Sequence, residues 1–457
     1  MSPEIVTIIA LVVIFAIATV LPINMGALAF VAAFVVGTLS VGLTTDEILG
    51  GFPAELVLTL IGVTYLFAIA QNNGTVDLLV RGAVRMVGGH VAAIPWIMFF
   101  VTALLTAIGA LSPAAVAIIA PIALGFAARH GINPLLMGMM VIHGAQGGGF
   151  SPISVYGVTV NTIVDDEGLP GSPLAVFLSS LFFNLAIALA LFFLLGGRKL
   201  IGRKVTVEED LREEAHAERA TVSGGGSGTE VRGHGAAPGP AVGGGRAGNG
   251  DAHPDAPQRI TFEQIMTLVG LAVLAILALV FDLDIGFVAI SVAVVLALFS
   301  AAKHKGAVSQ ISWSTVLLIA GVLTFVFVLQ EAGTIDYVGE AVTGLGVPLV
   351  VALLLCYIGG IVSAFASSTA IIGVAISLAV PFLLAGDIAA VGVIVALSVA
   401  STIVDVSPFS TNGALVLAAA QDVDKDRFYK QILGYAAIVV AVGPLLAWLV
   451  FVVPGWL

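Results

Sequence analysis

The sequence predicts an all-α polytopic membrane protein made of two inverted five-helix repeats, each carrying a re-entrant hairpin and a broken helix. Three observations predict it. Of 457 residues, 59% are hydrophobic and only 10% charged, and mean hydropathy is +1.13. Apolar runs of about 17 to 25 residues recur along the chain, the length that crosses roughly 30 Å of hydrocarbon. The two halves also echo each other. Gln71-Asn72-Asn73-Gly74-Thr75-Val76-Asp77 returns as Gln330-Glu331-Ala332-Gly333-Thr334-Ile335-Asp336, 259 positions on. Ser112 and Ser368, Ser151 and Ser407, Pro152 and Pro408, Ser154 and Ser410, and Gly157 and Gly413 are each 256 apart. A duplication with a three-residue slip explains all of these, and chance recurrence in a low-diversity sequence is the rival reading. Third, Gly147-Gly148-Gly149-Phe150-Ser151-Pro152-Ile153-Ser154 and Val404-Asp405-Val406-Ser407-Pro408-Phe409-Ser410-Thr411-Asn412 interrupt apolar sequence once in each half. Proline deletes a helix N–H and glycine weakens a helix, and in lipid the freed backbone groups need partners inside the protein. Paired breaks of this kind mark discontinuous helices around a solute site.

In chain order, the predicted spans are 5–21, 25–43, 56–71, 133–160 and 174–196, then 262–281, 285–301, 313–330, 388–420 and 431–453. The first follows Met-Ser-Pro-Glu without a basic region or a small-x-small cleavage site, so it reads as a span and not a signal peptide. Two further apolar stretches, Ala92 to Arg129 and Val347 to Gly386, are interrupted at Ser112-Pro113 and at Ser367-Ser368-Thr369. Each is either two crossings or one re-entrant hairpin, and both options return the chain to the side it left. Five crossings per half is an odd number, so the repeats are expected to be inverted. The halves cover 1–197 and 260–457.

Charge placement agrees. With the amino terminus outside, Arg81, Arg85, Arg129, the run from Arg198 to Arg259, Lys303, Lys305, Lys425, Arg427 and Lys430 all fall on the cytoplasmic side. These are all 17 basic residues. The opposite side receives Asp46, Glu47, Asp165, Asp166, Glu167, Asp282, Asp284 and Glu331. Both termini are therefore expected outside the cytoplasmic membrane, with 198–259 as a flexible cytoplasmic linker. Its stretch from Ser223 to Gly250 is Gly, Ala, Pro and Ser with almost nothing to bury. The net charge of −11 lies largely in loops and says little about partners; no nucleic-acid partner is expected. The lone Cys356 makes no intramolecular disulfide, and no metal-ligand cluster is visible.

No Lys or Arg lies within the predicted spans or hairpin tips, so an anionic solute would be held by helix amino termini, backbone N–H groups and polar side chains. The candidate solute ligands are Ser112, Gln146, Ser151, Ser154, Tyr156, Ser368, Thr369, Ser410, Thr411 and Asn412. Oxygens at the same breaks suit a hard cation, and Ser112, Gly148, Ser367, Ser368, Asp405 and Ser407 are the candidate Na⁺ ligands. Taken singly, each hydroxyl is as well explained by back-bonding within its own helix; their clustering at paired breaks carries the reading. His143 is a proton carrier or, more simply, a packed histidine with a hydrogen bond. Asp77 and Asp336 read as caps of short interfacial helices. Asp405 is the one carboxylate inside a predicted span, and such a group by default marks an ion path. It is a cation ligand, a proton carrier, or a cap on the broken helix. Its repeat partner is Gly149.

At these residues the chain resembles the ion transporter superfamily, whose divalent anion/sodium symporters carry Ser-Asn-Thr tips on two re-entrant hairpins followed by broken helices. Tip two, Ser367-Ser368-Thr369, fits that pattern; tip one, Leu111-Ser112-Pro113-Ala114, departs from it. Pro22 to Phe30, Leu58 to Gly74 and Val141 to Tyr156 look like the MatC-type dicarboxylate carriers, a family associated with malonate uptake. The resemblance implies a homodimer, scaffold helices at 1–91 and 260–346, mobile transport portions at 92–197 and 347–457, and a short dicarboxylate as substrate. It implies no cofactor beyond Na⁺, or H⁺, as coupling ion. A cation/proton antiporter or another anion exporter of the same superfamily is the alternative. An intramembrane enzyme would need a nucleophile–base or metal constellation, and His143 and Asp405 sit in different halves with no motif.

Overall fold

A computed structural model describes residues 2–21, 23–76, 78–79, 82, 90–204, 260–281, 283–300, 306–334, 337, 348–364, 368–384, 388–420, 423–455 and 457. The expected linker beyond Lys204, the caps Asp77 and Asp336, Ser367, and the basic residues Arg81, Arg85, Lys303 and Lys305 lie outside the described residues. Among the described residues the secondary structure is helical, with one isolated bridge between His90 and Lys204.

The first half runs α1 (Pro3–Val20), α2 (Met25–Val36, continuing as a π turn over Gly37–Val41), α3 (Thr45–Gly50), α4 (Ala54–Asn72), α5 (Ala93–Ala107), α6 (Ser112–His130), α7 (Pro134–Gly148), α8 (Val155–Asp166) and α9 (Pro173–Leu194). The second half runs α10 (Phe262–Leu279), α11 (Ile285–Phe299), α12 (Trp313–Glu331), α13 (Pro348–Ser363), α14 (Ser368–Leu384), α15 (Ala390–Ile403), α16 (Thr411–Ala419) and α17 (Lys425–Phe451). Starts follow local chemistry. Asn24, Ser154, Asp284 and Asp424 accept backbone N–H groups at helix N-termini. Thr44 with Glu47 and Thr261 with Gln264 form capping boxes. Five helices (α4, α6, α9, α12 and α17) are long and apolar enough to cross a membrane; α6 belongs to the stretch expected to be either two crossings or a hairpin, and the remaining predicted spans are shorter helices. The predicted fourth and ninth spans are split between α7 and α8 and between α15 and α16, which is why neither half of each reaches that length.

The halves touch through paired close contacts. A Cβ at Gly26 of α2 would lie 2.0 Å from the Leu317 carbonyl oxygen of α12, and one at Gly321 would lie 2.0 Å from that of Gly26. In the other pair, a Cβ at Gly62 of α4 would lie 2.7 Å from the Gly286 carbonyl oxygen of α11, and one at Gly286 would lie 2.8 Å from Thr59 N. Only glycine lets these backbones meet. Thr7 shares a 2.6 Å hydrogen bond with Thr334, and Asn73, which accepts from Thr75, donates to Thr267 at 2.6 Å. Thr7 and Thr267 lie 260 positions apart, and Thr75 and Thr334 lie 259 apart. The surface is apolar: Val12, Phe182, Phe287, Leu298 and Ile438 are exposed, while polar side chains such as Asn184, Asn412 and Gln146 are buried. Water as solvent would punish that arrangement and lipid does not.

Candidate functional site

The two breaks are the turns Gly149–Ser154 and Val404–Ser410. Gly147 and Gly148, expected to loosen the helix, are instead its last turn. A Cβ at Gly144 would fall 2.3 Å from the Phe99 carbonyl oxygen, and one at Gly148 1.9 Å from that of Ala103. The glycines let α5 lie against α7, and the interruption begins one residue later. Beyond each break Gly157 and Gly413 allow a similar close approach, since a Cβ would sit 1.9 Å from the Ser151 carbonyl oxygen and 2.0 Å from that of Ser407. Ser154 and Ser410 each donate to the carbonyl three residues back, Ser151 and Ser407, at 2.7 Å in both cases. These two hydroxyls hold the turns closed.

The hairpin α5–α6 begins beside Arg203, whose carbonyl accepts from Val91 N at 3.2 Å. It turns at Gly109, with φ +111°, and its tip reaches the second break: Asn412 Nδ2 donates to Ser112 Oγ at 2.8 Å. The same Nδ2 donates to Asp405 Oδ2 at 2.8 Å, and Asn412 N donates to Asp405 Oδ1 at 3.3 Å. Asp405 therefore caps the first turn of α16 and orients the Asn412 amide, because the carboxylate accepts only from the nitrogen. From the second hairpin, Ser363 donates to Ser368 at 3.0 Å, and the Ser368 and Ser410 hydroxyls face Asp405. Tips one and two thus meet at break two. Asn412 Oδ1 is buried with no partner, as are Gln146 Oε1 and the Ser398 and Ser401 hydroxyls on α15. A buried amide oxygen left unpaired costs about 1 to 3 kcal/mol. Beside a carboxylate it is the donor set a small hard cation takes.

Gln146 donates to the Thr402 carbonyl at 2.8 Å, tying break one to break two. Ser151 and Tyr156 are buried at break one, where the Tyr156 ring packs 5.5 Å from that of Phe150. The Gly148 carbonyl already accepts from Ser151 N at 3.1 Å, and Ser407 Oγ accepts from Phe409 N at 3.2 Å. Thr411 is exposed at the start of α16 and stands apart from the cluster, and the Thr369 side chain lies outside the described residues. Ser363, Ser398 and Ser401 escaped the sequence reading. Their signal was polar residues at helical spacing on an otherwise apolar run just before a break.

His143 is braced on both sides. Asn184 Nδ2 donates to the Ser180 carbonyl at 2.9 Å, which turns its Oδ1 to His143 Nδ1, also at 2.9 Å. Nδ1 must then donate, and Nε2 is left to accept from Tyr435 OH at 2.6 Å. A neutral imidazole spends all its hydrogen-bonding capacity here, linking α7, α9 and α17.

Broken helices, a helix tip at the second break, and a lipid-compatible exterior define a polytopic α-helical membrane fold of the kind transporters use. Residues 1–149 match the family model described as the N-terminus of the dicarboxylate carrier protein MatC, in agreement with the resemblance read from the sequence. An uncharacterized transporter of Synechocystis is 32% identical over 185 residues, 38% of this chain and 29% of that protein. The match spans less than a third of that relative's length. Among solved structures, the YdaH transporter of Alcanivorax borkumensis, described as having an unusual topology, superposes with a TM-score of 0.56 over 98% of both chains at 14% identity. That likeness is one of fold.

Proposed function

We propose that this protein is a secondary active transporter that imports a small dicarboxylate, malonate first among them, coupled to Na⁺ or H⁺. The observation that carries it is the junction of Ser112, Ser368, Asp405 and Asn412, where the amino-terminal ends of α6, α14 and α16 come together around an unpaired amide oxygen. Helix amino termini favour an anion, while Asp405 and Asn412 Oδ1 favour the cation that would offset its charge. The match of the first third to a dicarboxylate carrier supports the substrate class.

The paired contacts between halves support inverted repeats, with 1–91 and 260–346 as scaffold and the hairpin-bearing portions moving against them in a homodimer. On this reading the protein sits in the cytoplasmic membrane with both termini outside and the linker inside. Uptake of radiolabelled malonate into proteoliposomes, with and without an imposed Na⁺ gradient, tests the proposal. Accumulation that follows the gradient is expected. Cation flux without malonate uptake would favour an antiporter.

A further inference from the structure

Opposite charges mark the two ends of the molecule. At the carboxyl end of α8, Asp165 and Asp166 face Glu55 beside Asp284, and Gln330 donates to the neighbouring Glu167. At the other end of the same broken crossing, where α7 starts and α9 finishes, lies a cavity of about 690 Å³. Lys199, Arg203 and Arg427 line it. Lys199 comes from the 3₁₀ turn Gly197–Leu200. The Arg203 backbone is pinned by Val91, and Arg427 stands in the first turn of α17. Asp424 lines the same cavity, but its carboxylate is engaged in accepting from Asp426 N and Arg427 N as the helix cap. Three cations and one carboxylate line the cavity, a net charge of +2.

A smaller cavity of about 100 Å³ adjoins it, sharing Pro134 and Val423. It runs beside Pro121 and Gly125 of α6 and Ala419 at the end of α16. These are the two helices whose amino termini present Ser112 and Asn412 to each other. The candidate site has no cationic side chain among the described residues, so attraction of a dianion over distance must come from elsewhere.

We propose that the larger cavity is a second anion site, which collects the transported dianion on the linker side and passes it along α6 and α16 to the buried junction. This deepens the transport reading and rests on it. The chemistry recognised is a small polyvalent anion, carboxylate or phosphate, whether free or on a lipid headgroup. Focusing by a net charge of +2 raises local concentration about tenfold at low ionic strength, and the effect fades once the screening length drops below about 10 Å.

The test compares wild type with Lys199→Gln/Arg203→Gln/Arg427→Gln and with the charge-keeping Lys199→Arg/Arg203→Lys/Arg427→Lys. In proteoliposomes of neutral lipid, the KM for malonate presented to the linker face should rise about tenfold in the neutralised variant. The opposite-face KM should be unchanged, the charge-keeping variant should behave as wild type, and high salt should erase the difference. A KM shift equal on both faces, or one seen only when phosphatidylglycerol is added, overturns the proposal. Equilibrium dialysis of the purified full chain with radiolabelled inorganic phosphate at low salt reads the cavity without transport. Binding by wild type and its loss in the neutralised variant are expected even if malonate proves not to be the cargo. Equal phosphate binding by the two would refute the site by itself.

Discussion

The Gln146 side chain donates to the backbone carbonyl of Thr402 at 2.8 Å, and the two residues are 256 positions apart, the same spacing as Ser151 and Ser407. The two halves meet each other where the broken helices pass. The Thr402 hydroxyl turns back to the Ser398 carbonyl at 3.0 Å, so only its backbone takes part in the contact. Gln146→Leu should therefore destabilise by about 0.5 to 1.5 kcal/mol, the loss of one buried hydrogen bond to a carbonyl that still accepts from Asp405 N at 3.0 Å, whereas Thr402→Val, which gives up only a back-bond within its own helix, should cost less. Thermal unfolding of the purified variants checks the order, and a larger loss for Thr402→Val would show that the contact contributes little.

Asp405→Asn keeps an acceptor for the α16 cap and nearly the same shape while removing the charge. The variant is expected to fold and insert, and to lose gradient-driven uptake through a weakened response to Na⁺ or to pH. Wild-type uptake with both responses intact would reduce Asp405 to a cap.

Ser112, Asn412 and Asp405 form one network, so their substitutions should not add. Ser112→Ala and Asn412→Ala are expected to show a coupling of about 0.5 to 3 kcal/mol in a double-mutant cycle of malonate affinity. Ser368→Ala removes a hydroxyl that faces a carboxylate and should cost about 1.5 to 3 kcal/mol, roughly ten- to a hundredfold in affinity. Strict additivity of the first pair would mean that the hairpin tip and the break act separately.

Glycine spacing between the halves makes a sharper stability prediction. Gly26→Ala drives a methyl carbon to 2.0 Å from a backbone oxygen that has nowhere to go, and overpacking of this kind costs about 1 to 3 kcal/mol or more. Gly434→Ala meets nothing within 4 Å and should stabilise α17 by up to about 1 kcal/mol through helix propensity. Melting temperatures moving in opposite directions are the expected result.

Glu167, in the loop after α8, is held above its ordinary 4.5 by burial, with the Gln330 hydrogen bond working against the shift and Asp166 adding to it. The folded protein then keeps this proton more tightly than the unfolded chain. Its contribution is complete below pH 4.5 and is lost as pH climbs toward the raised value. Glu167→Gln retains an acceptor for Gln330 and cannot ionise, so its stability should fall less than wild type's as pH rises through that window. Parallel melting curves for the two proteins across pH 4 to 7 would show that the carboxyl is not perturbed.

Much of the fold was legible because lipid imposes it. Apolar length, Pro and Gly in the middle of spans, and the echo of Gln71–Asp77 in Gln330–Asp336 are properties of residue order, and they placed the helices and both breaks. Asp405 stood out for the same reason, as a charge where hydrocarbon should be. Three-dimensional packing decided the rest. Order along the chain does not say that Asn412 reaches Ser112, 300 residues away, or that Thr411 beside it points out. It does not separate a glycine that breaks a helix from Gly148, which stays helical so that α5 can approach. Nor does it bring Lys199, Arg203 and Arg427 around one cavity. Hydrophobicity and backbone hydrogen bonding act locally and leave their period in the sequence; hydrogen bonds between distant side chains and close backbone approaches exist only once the helices have packed.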